Sequence, residues 1–272
     1  MHAPGDFILL GSSRLHYYRW GRGDKLLLCF HGYGETAASF GFLADTLGDE
    51  FTILAIDLPF HGETEWREAG PFTMEQLLSV LDKVLAGIAQ GTPWYLMGYS
   101  MGGRIALSLL QTVPDRIARL VLVAPDGLRL NPWYWLATQT SAGGSLFRYT
   151  MYHPGWFFLI LRACNALKLV NPSVYKFVAH YIGNPGVRHD LYIRWTGLRK
   201  FRPRLSVIRS IILRRELPVR ILYGRFDRII RVKRGKQFRK GIEPYCRLEV
   251  LPAGHQLLQV TWIRSFLSML KE

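Results

Sequence analysis

The sequence predicts an α/β chain: a mostly parallel sheet of eight strands with helices on both faces. Three observations predict it. Short apolar runs alternate with stretches of helical periodicity along most of the chain. The later runs are almost continuously apolar, as strands covered on both faces must be. One such run passes directly into a helical pattern through Gly98-Tyr99-Ser100-Met101-Gly102, a G-x-S-x-G sequence in strand–turn–helix context.

In chain order, the strand-like runs are 7–10, 14–20, 25–30, 52–56, 94–98, 119–124, 219–223 and 247–251. Helical patterns fill most of the gaps, at 37–47, 74–89, 101–111, 232–240 and 256–270. Thr73 and Gln76 have the spacing of a capping box for the second of these. Gly41 weakens the first.

The elbow carries the chemistry. A strand that becomes a helix without a loop forces its turning residue, Ser100, into a strained backbone conformation. Gly98 and Gly102 flank it because a Cβ at either position would clash in so tight a turn. The serine hydroxyl then projects above the sheet. The N–H of Met101, at the helix start, is placed to donate to a developing oxyanion.

Two further residues fall at strand ends. Asp227 follows the 219–223 strand, and His255 follows the 247–251 strand. Ser, Asp and His thus occur in that order, each just past the carboxyl end of a strand, the edge where open α/β sheets bind ligands.

With these residues the chain resembles the α/β-hydrolase fold superfamily, the single-domain group of serine esterases and thioesterases with a helical cap. Phe30-His31-Gly32-Tyr33-Gly34 matches the family's oxyanion loop. Asp57-Leu58-Pro59-Phe60-His61-Gly62 resembles its turn after strand four, with Phe60 where glycine is usual. Carried over residue by residue, the resemblance implies Ser100 as nucleophile, His255 as base and Asp227 as acid. It implies an oxyanion hole from the backbone N–H groups of Tyr33 and Met101, with His31 and Gly32 shaping that loop. Asp126, after strand six, is the alternative acid, since some members keep theirs there. The resemblance calls for no cofactor and no metal.

Residues 126–215, between strands six and seven, are too long for a connection and should form structure of their own. The resemblance implies a helical cap, with a core of residues 1–125 and 216–272. The insert holds 14 Lys and Arg against Asp126 and Asp190, so it should carry most of the chain's net charge of +15. It also holds 15 aromatic residues, which imply an apolar pocket. Beyond a solvated basic rim, two partners suit it: an acidic carrier protein or an anionic membrane surface. Nucleic acid ranks last, because no recognition motif accompanies the sequence pI of about 10.0.

Three cysteines at wide spacing form no disulfide framework or metal signature, and residues 1–6 do not begin a signal peptide. No apolar run approaches the ~20 residues of a membrane span. The expectation is a cytoplasmic protein, peripheral to the membrane if the cap binds one.

The expected activity is hydrolysis of a carboxylic ester or thioester with a hydrophobic portion, through an acyl-enzyme. Serine at position 100 argues against the relatives that form an alkyl ester on aspartate. Two alternatives use the same scaffold. One is carbon–carbon hydrolysis or elimination on an acidic substrate, for which Arg104, Arg148 and Arg162 are candidate anion ligands. The other is a non-catalytic ligand-binding protein.

Overall fold

The computed structural model describes residues 5–86, 88, 91–129, 131–170 and 172–271. Eight strands form one sheet: β1 (Asp6–Leu10), β2 (Ser13–Trp20), β3 (Lys25–Phe30), β4 (Phe51–Ile56), β5 (Trp94–Tyr99), β6 (Ile117–Val123), β7 (Val219–Gly224) and β8 (Cys246–Leu251). Their order is β1-β2-β4-β3-β5-β6-β7-β8. β2 pairs antiparallel with β1 and β4, and every other pairing is parallel. Every residue of β4 and β7 is buried, which accounts for runs that are apolar but for Thr52 and Arg220.

Helices cover both faces. α1 (Ala44–Leu47), α2 (Met74–Leu85) and α3 (Met101–Thr112) lie in the first part of the chain. α4 (Pro132–Gln139), α5 (Ser141–Tyr152), α6 (Gly155–Ala166), α7 (Pro172–Gly183) and α8 (Pro185–Gly197) follow β6. α9 (Leu205–Arg215), α10 (Val232–Arg239) and α11 (Ile263–Lys271) complete the fold. One face of the sheet buries Leu27, Ile53, Met97, Val121 and Leu222 with Phe40 and Phe266, each fully. Burying a side chain of this size stabilises by about 1.5–3 kcal/mol. No helix among the described residues is long and apolar enough to cross a membrane.

The predicted helices differ from the observed ones where tertiary bonds intervene. The 37–47 pattern becomes a 3-10 helix, Ala37–Leu43, followed by the single turn of α1. Thr36 caps nothing with its side chain. Instead the Ala37 N–H is drawn to Asp57 Oδ1 at 2.6 Å, and Gly41 lies mid-element. The 256–270 helix starts late, at Ile263 after a 3-10 turn, and the extended backbone of Gln259 precedes that turn. α2 carries the Thr73–Gln76 capping box in both directions. It ends at Leu85, and of its predicted extension residues 87 and 89 lie outside those described.

The chain divides into two compact units: Met1–Arg129 with Lys200–Glu272, and Leu130–Arg199. The helical unit is therefore shorter than the 126–215 insert that the sequence suggested. Phe201 is buried and packs on Phe72 at 5.6 Å, the Arg204 N–H donates to Gln111, and α9 buries Ile208, Ile211 and Ile212 in the sheet unit. The basic charge divides with it. Arg129, Lys200, Arg202, Arg204, Arg209, Arg214 and Arg215 belong to the sheet unit, so the helical unit holds only half of the cations of the 126–215 insert.

Candidate active site

β5 ends at Tyr99 and α3 begins at Met101, so Ser100 alone makes the turn. It adopts φ 48° and ψ −114°, a conformation that costs a non-glycine residue about 1–3 kcal/mol. Backbone bonds hold it there. The Ser100 N–H donates to the Val123 carbonyl at 2.9 Å, and its own carbonyl accepts from Gly103 at 2.9 Å and Asp126 at 2.8 Å. A Cβ on Gly102 would lie 1.9 Å from the Phe30 carbonyl oxygen, and one on Gly98 would lie 2.5 Å from the Gly102 oxygen. The two glycines let β5 and α3 approach β3 this closely.

The loops after β7 and β8 bring Asp227 and His255 to Ser100. His255 Nδ1 lies 2.7 Å from Asp227 Oδ2, and its Nε2 lies 3.0 Å from Ser100 Oγ. Asp227 Oδ1 accepts from the N–H groups of Ile229 and Ile230 at 2.8 and 2.9 Å. Burial pushes the Asp227 carboxyl up, but the His255 hydrogen bond and the Ile230 and Ile229 N–H groups outweigh it and hold it below its usual value. An ionised Asp227 only accepts, so His255 Nδ1 donates to it, which turns Nε2 toward the serine hydroxyl.

The loop after β3 approaches from the other side. A Cβ on Gly32 would stand 2.9 Å from the Tyr99 ring and 3.2 Å from Ser100 Cβ, so only glycine allows the approach. His31 is fully buried. Its Nε2 accepts from the Leu58 N–H at 3.0 Å, which leaves Nδ1 to donate to the Gly32 carbonyl at 2.8 Å. It thereby ties the loop carrying Tyr33 to the turn after β4. Phe60 in that turn has φ 68°, the left-handed region in which glycine is the usual occupant. Met101 is the first residue of α3, where backbone N–H groups have no intrahelical acceptor.

Asp126 is not brought to His255. Its Oδ2 faces Arg104 Nε at 3.7 Å and its Oδ1 accepts from the Gly127 N–H. Arg104 is itself buried. Sequence reasoning missed three residues. The Tyr99 hydroxyl reaches the His255 carbonyl at 3.2 Å and Gln256 Oε1 at 3.0 Å, and Gln256 Nε2 donates to Glu35 at 3.0 Å. The signal available was a tyrosine in a buried strand, whose hydroxyl needs a partner. Asp57 also does more than mark a turn: with His16 Nδ1 at 2.7 Å and the Ala37 and Glu63 N–H groups, it joins β2, the loop after β3 and the turn after β4.

The family model described as alpha/beta hydrolase fold matches residues 25–258, a span that includes Ser100, Asp227 and His255. The chain belongs to the α/β-hydrolase fold family. This α/β hydrolase is 34% identical over 127 residues to the dihydrolipoyllysine-residue acetyltransferase component of an acetoin cleaving system from Cupriavidus necator, covering 46% of this chain and 33% of that one. It is 35% identical over 105 residues to an esterase of Mycobacterium tuberculosis, covering 39% and 34%. The chain thus spans about a third of the length of these two relatives. A pimeloyl-[acyl-carrier protein] methyl ester esterase of Vibrio campbellii is 24% identical over 238 residues, 82% of this chain and 84% of that one. Among solved structures, a thermophilic esterase from Thermogutta terrifontis has a TM-score of 0.67 at 20% identity, covering 99% of this chain and 100% of the other. The thioesterase domain from the curacin biosynthetic pathway has a TM-score of 0.65 at 18% identity, covering 98% and 99%. These two likenesses concern the fold.

Proposed function

We propose that the protein hydrolyses a carboxylic ester or thioester with a hydrophobic portion through an acyl-enzyme formed on Ser100. The hydrogen-bonded line Ser100 Oγ–His255–Asp227, at 3.0 and 2.7 Å, carries the reading. Nε2 of His255 takes the hydroxyl proton as Oγ attacks the carbonyl carbon. Asp227 holds the ring in its Nδ1–H tautomer and stabilises the imidazolium that forms. The N–H groups of Tyr33 and Met101 receive the oxyanion, each contributing about 3 kcal/mol. The imidazolium returns its proton to the leaving alcohol or thiol, and His255 then activates the water that releases the acid.

The names of the esterase relatives in Mycobacterium and Vibrio support this bond class. Chemistry on an acidic substrate would need a guanidinium given over to that substrate, and Arg104, the sheet unit's candidate, faces Asp126. The three free cysteines fit a reducing compartment. Ser100→Ala should lower turnover of p-nitrophenyl esters of graded acyl length by several orders of magnitude while binding persists. Turnover equal to that of wild type would refute the reading, as would failure of a fluorophosphonate to label Ser100.

A further inference from the structure

The helical unit carries an apolar face that water alone does not explain. On α6, Leu159 is 74% exposed and Ile160 50%, and in the turn after it Leu167 is 70% and Leu169 72% exposed. The spacing is helical: Leu159, Ala163 and Ala166 follow one another on one side, with Ile160 and Leu167 beside them, and all five are exposed. Leu161 points the other way and is buried. The end of the helix is a built turn. Lys168 takes a left-handed φ of 56°, its N–H donates to the Asn165 carbonyl, and the Leu169 N–H returns to the Cys164 carbonyl at 2.9 Å. Leu167 and Leu169 are therefore held at the end of the stripe with Lys168 between them, and Arg162, also exposed, stands at its edge.

The surrounding charge has one sign. Residues 127–189 contain no Asp or Glu, while Arg148, Arg162, Lys168, Lys176 and Arg188 lie among them. The helical unit's one carboxylate side chain, Asp190, is bonded to Arg194 at 3.0 Å. A second copy of this face would set cation against cation. An acidic protein would answer the charge but gives no reason for leucines standing out between the cations. A surface that is anionic at its rim and apolar beneath satisfies both.

We propose that the α6 face of the helical unit docks on anionic lipid membranes, with Leu159, Ile160, Leu167 and Leu169 entering the acyl boundary and Arg162 and Lys168 meeting the headgroups. The proposal stands apart from the role of Ser100, because its readout is binding without turnover.

Co-sedimentation of the whole protein tests it, with vesicles of phosphatidylcholine alone or mixed equally with phosphatidylglycerol. Wild type should pellet with the mixed vesicles at low salt and much less with phosphatidylcholine. At ~1 M salt, where the Debye length falls to about 3 Å, the difference between the two should vanish. Arg162→Gln with Lys168→Gln should weaken binding about 25-fold, about fivefold for each cation. Leu159→Ser with Leu167→Ser should weaken it about 100-fold, since each buried leucine is worth about tenfold or more. Unchanged circular dichroism and melting temperature establish that these surface variants are folded. The wild-type comparison of lipid composition and salt can overturn the proposal even if they are not. Equal wild-type binding to both vesicles at low salt overturns the proposal, as does wild-type affinity in either folded variant. It is also overturned if the leucine variant dissociates a dimer, or if the face captures an acidic acyl carrier protein while ignoring the mixed vesicles.

Discussion

Tyr99→Phe removes one oxygen atom and tests how the candidate site is held. The hydroxyl joins three loops that the chain order separates widely: the elbow that it precedes, the His255–Gln256 loop, and the loop after β3 through Gln256 and Glu35. Burial first, then the charges of Glu35 and Asp227, push the phenol far above its ordinary value, so it stays a donor at any working pH. Phenylalanine keeps the ring, which lies 5.5 Å from that of His255, and leaves Gln256 Oε1 without its donor. One lost hydrogen bond costs about 1 kcal/mol. In a chain of this size that lowers the melting temperature by about 2–4 °C. The His255 backbone carbonyl would lose this tie, and a displacement of about 1 Å in a catalytic group costs up to about 100-fold in rate. The expected result is kcat lower by about tenfold with KM and the shape of the pH profile retained, measured on a p-nitrophenyl ester. A melting temperature lowered as expected with kcat intact would refute the reasoning and make Tyr99 a packing residue.

Asp227→Asn should lower kcat about 10⁴-fold by favouring the wrong imidazole tautomer, an effect read in single-turnover acylation. Because the native Asp227 carboxyl lies below its ordinary value, its stabilising contribution is complete above ~3.9 and is lost as pH falls through the lower folded value. The melting-temperature gap between wild type and Asp227→Asn should therefore narrow in acid, and a gap independent of pH would contradict the assignment. Burial raises the Cys29 thiol far above its ordinary value and pushes Cys246 up to about 12. A thiol reagent at neutral pH should thus modify only the half-buried Cys164 in the native protein and all three cysteines after denaturation, counted by mass. Ser100→Gly should melt higher than Ser100→Ala, by about 1 kcal/mol in stability, because only glycine relieves the backbone at φ 48°. Equal melting temperatures would mean that the turn stores no strain.

The sheet was legible because each strand carries its own signal. Buried runs such as Phe51–Ile56 and Val219–Gly224 need no neighbour to be recognised, and the elbow names its serine by local sterics alone. What stayed hidden depends on distant partners. The start of the 37–43 element is pinned by Asp57, and Gln256 is bonded to Tyr99 and Glu35. The insert was bounded in the sequence by the strands on either side of it, while Phe201 and the Ile208, Ile211, Ile212 spacing of α9 fix where its last part packs. The same applies to the acid: Asp126 and Asp227 both follow strands, and only the 2.7 Å contact with His255 separates them.

The distance along the chain between Ser100 and His255 has a consequence for a protein still being made. Synthesis runs from the amino end, and Ser100 emerges with β5 and α3, long before the loop beyond β8 exists. A nascent chain therefore exposes Ser100 before the imidazole that lies 3.0 Å from it in the finished fold has been made. If Ser100 is the nucleophile proposed above, reactivity arrives late, when His255 and Gln256 close against Tyr99 and Glu35. On that reading the order of the residues acts as a safety catch, released only after all eight strands have been made.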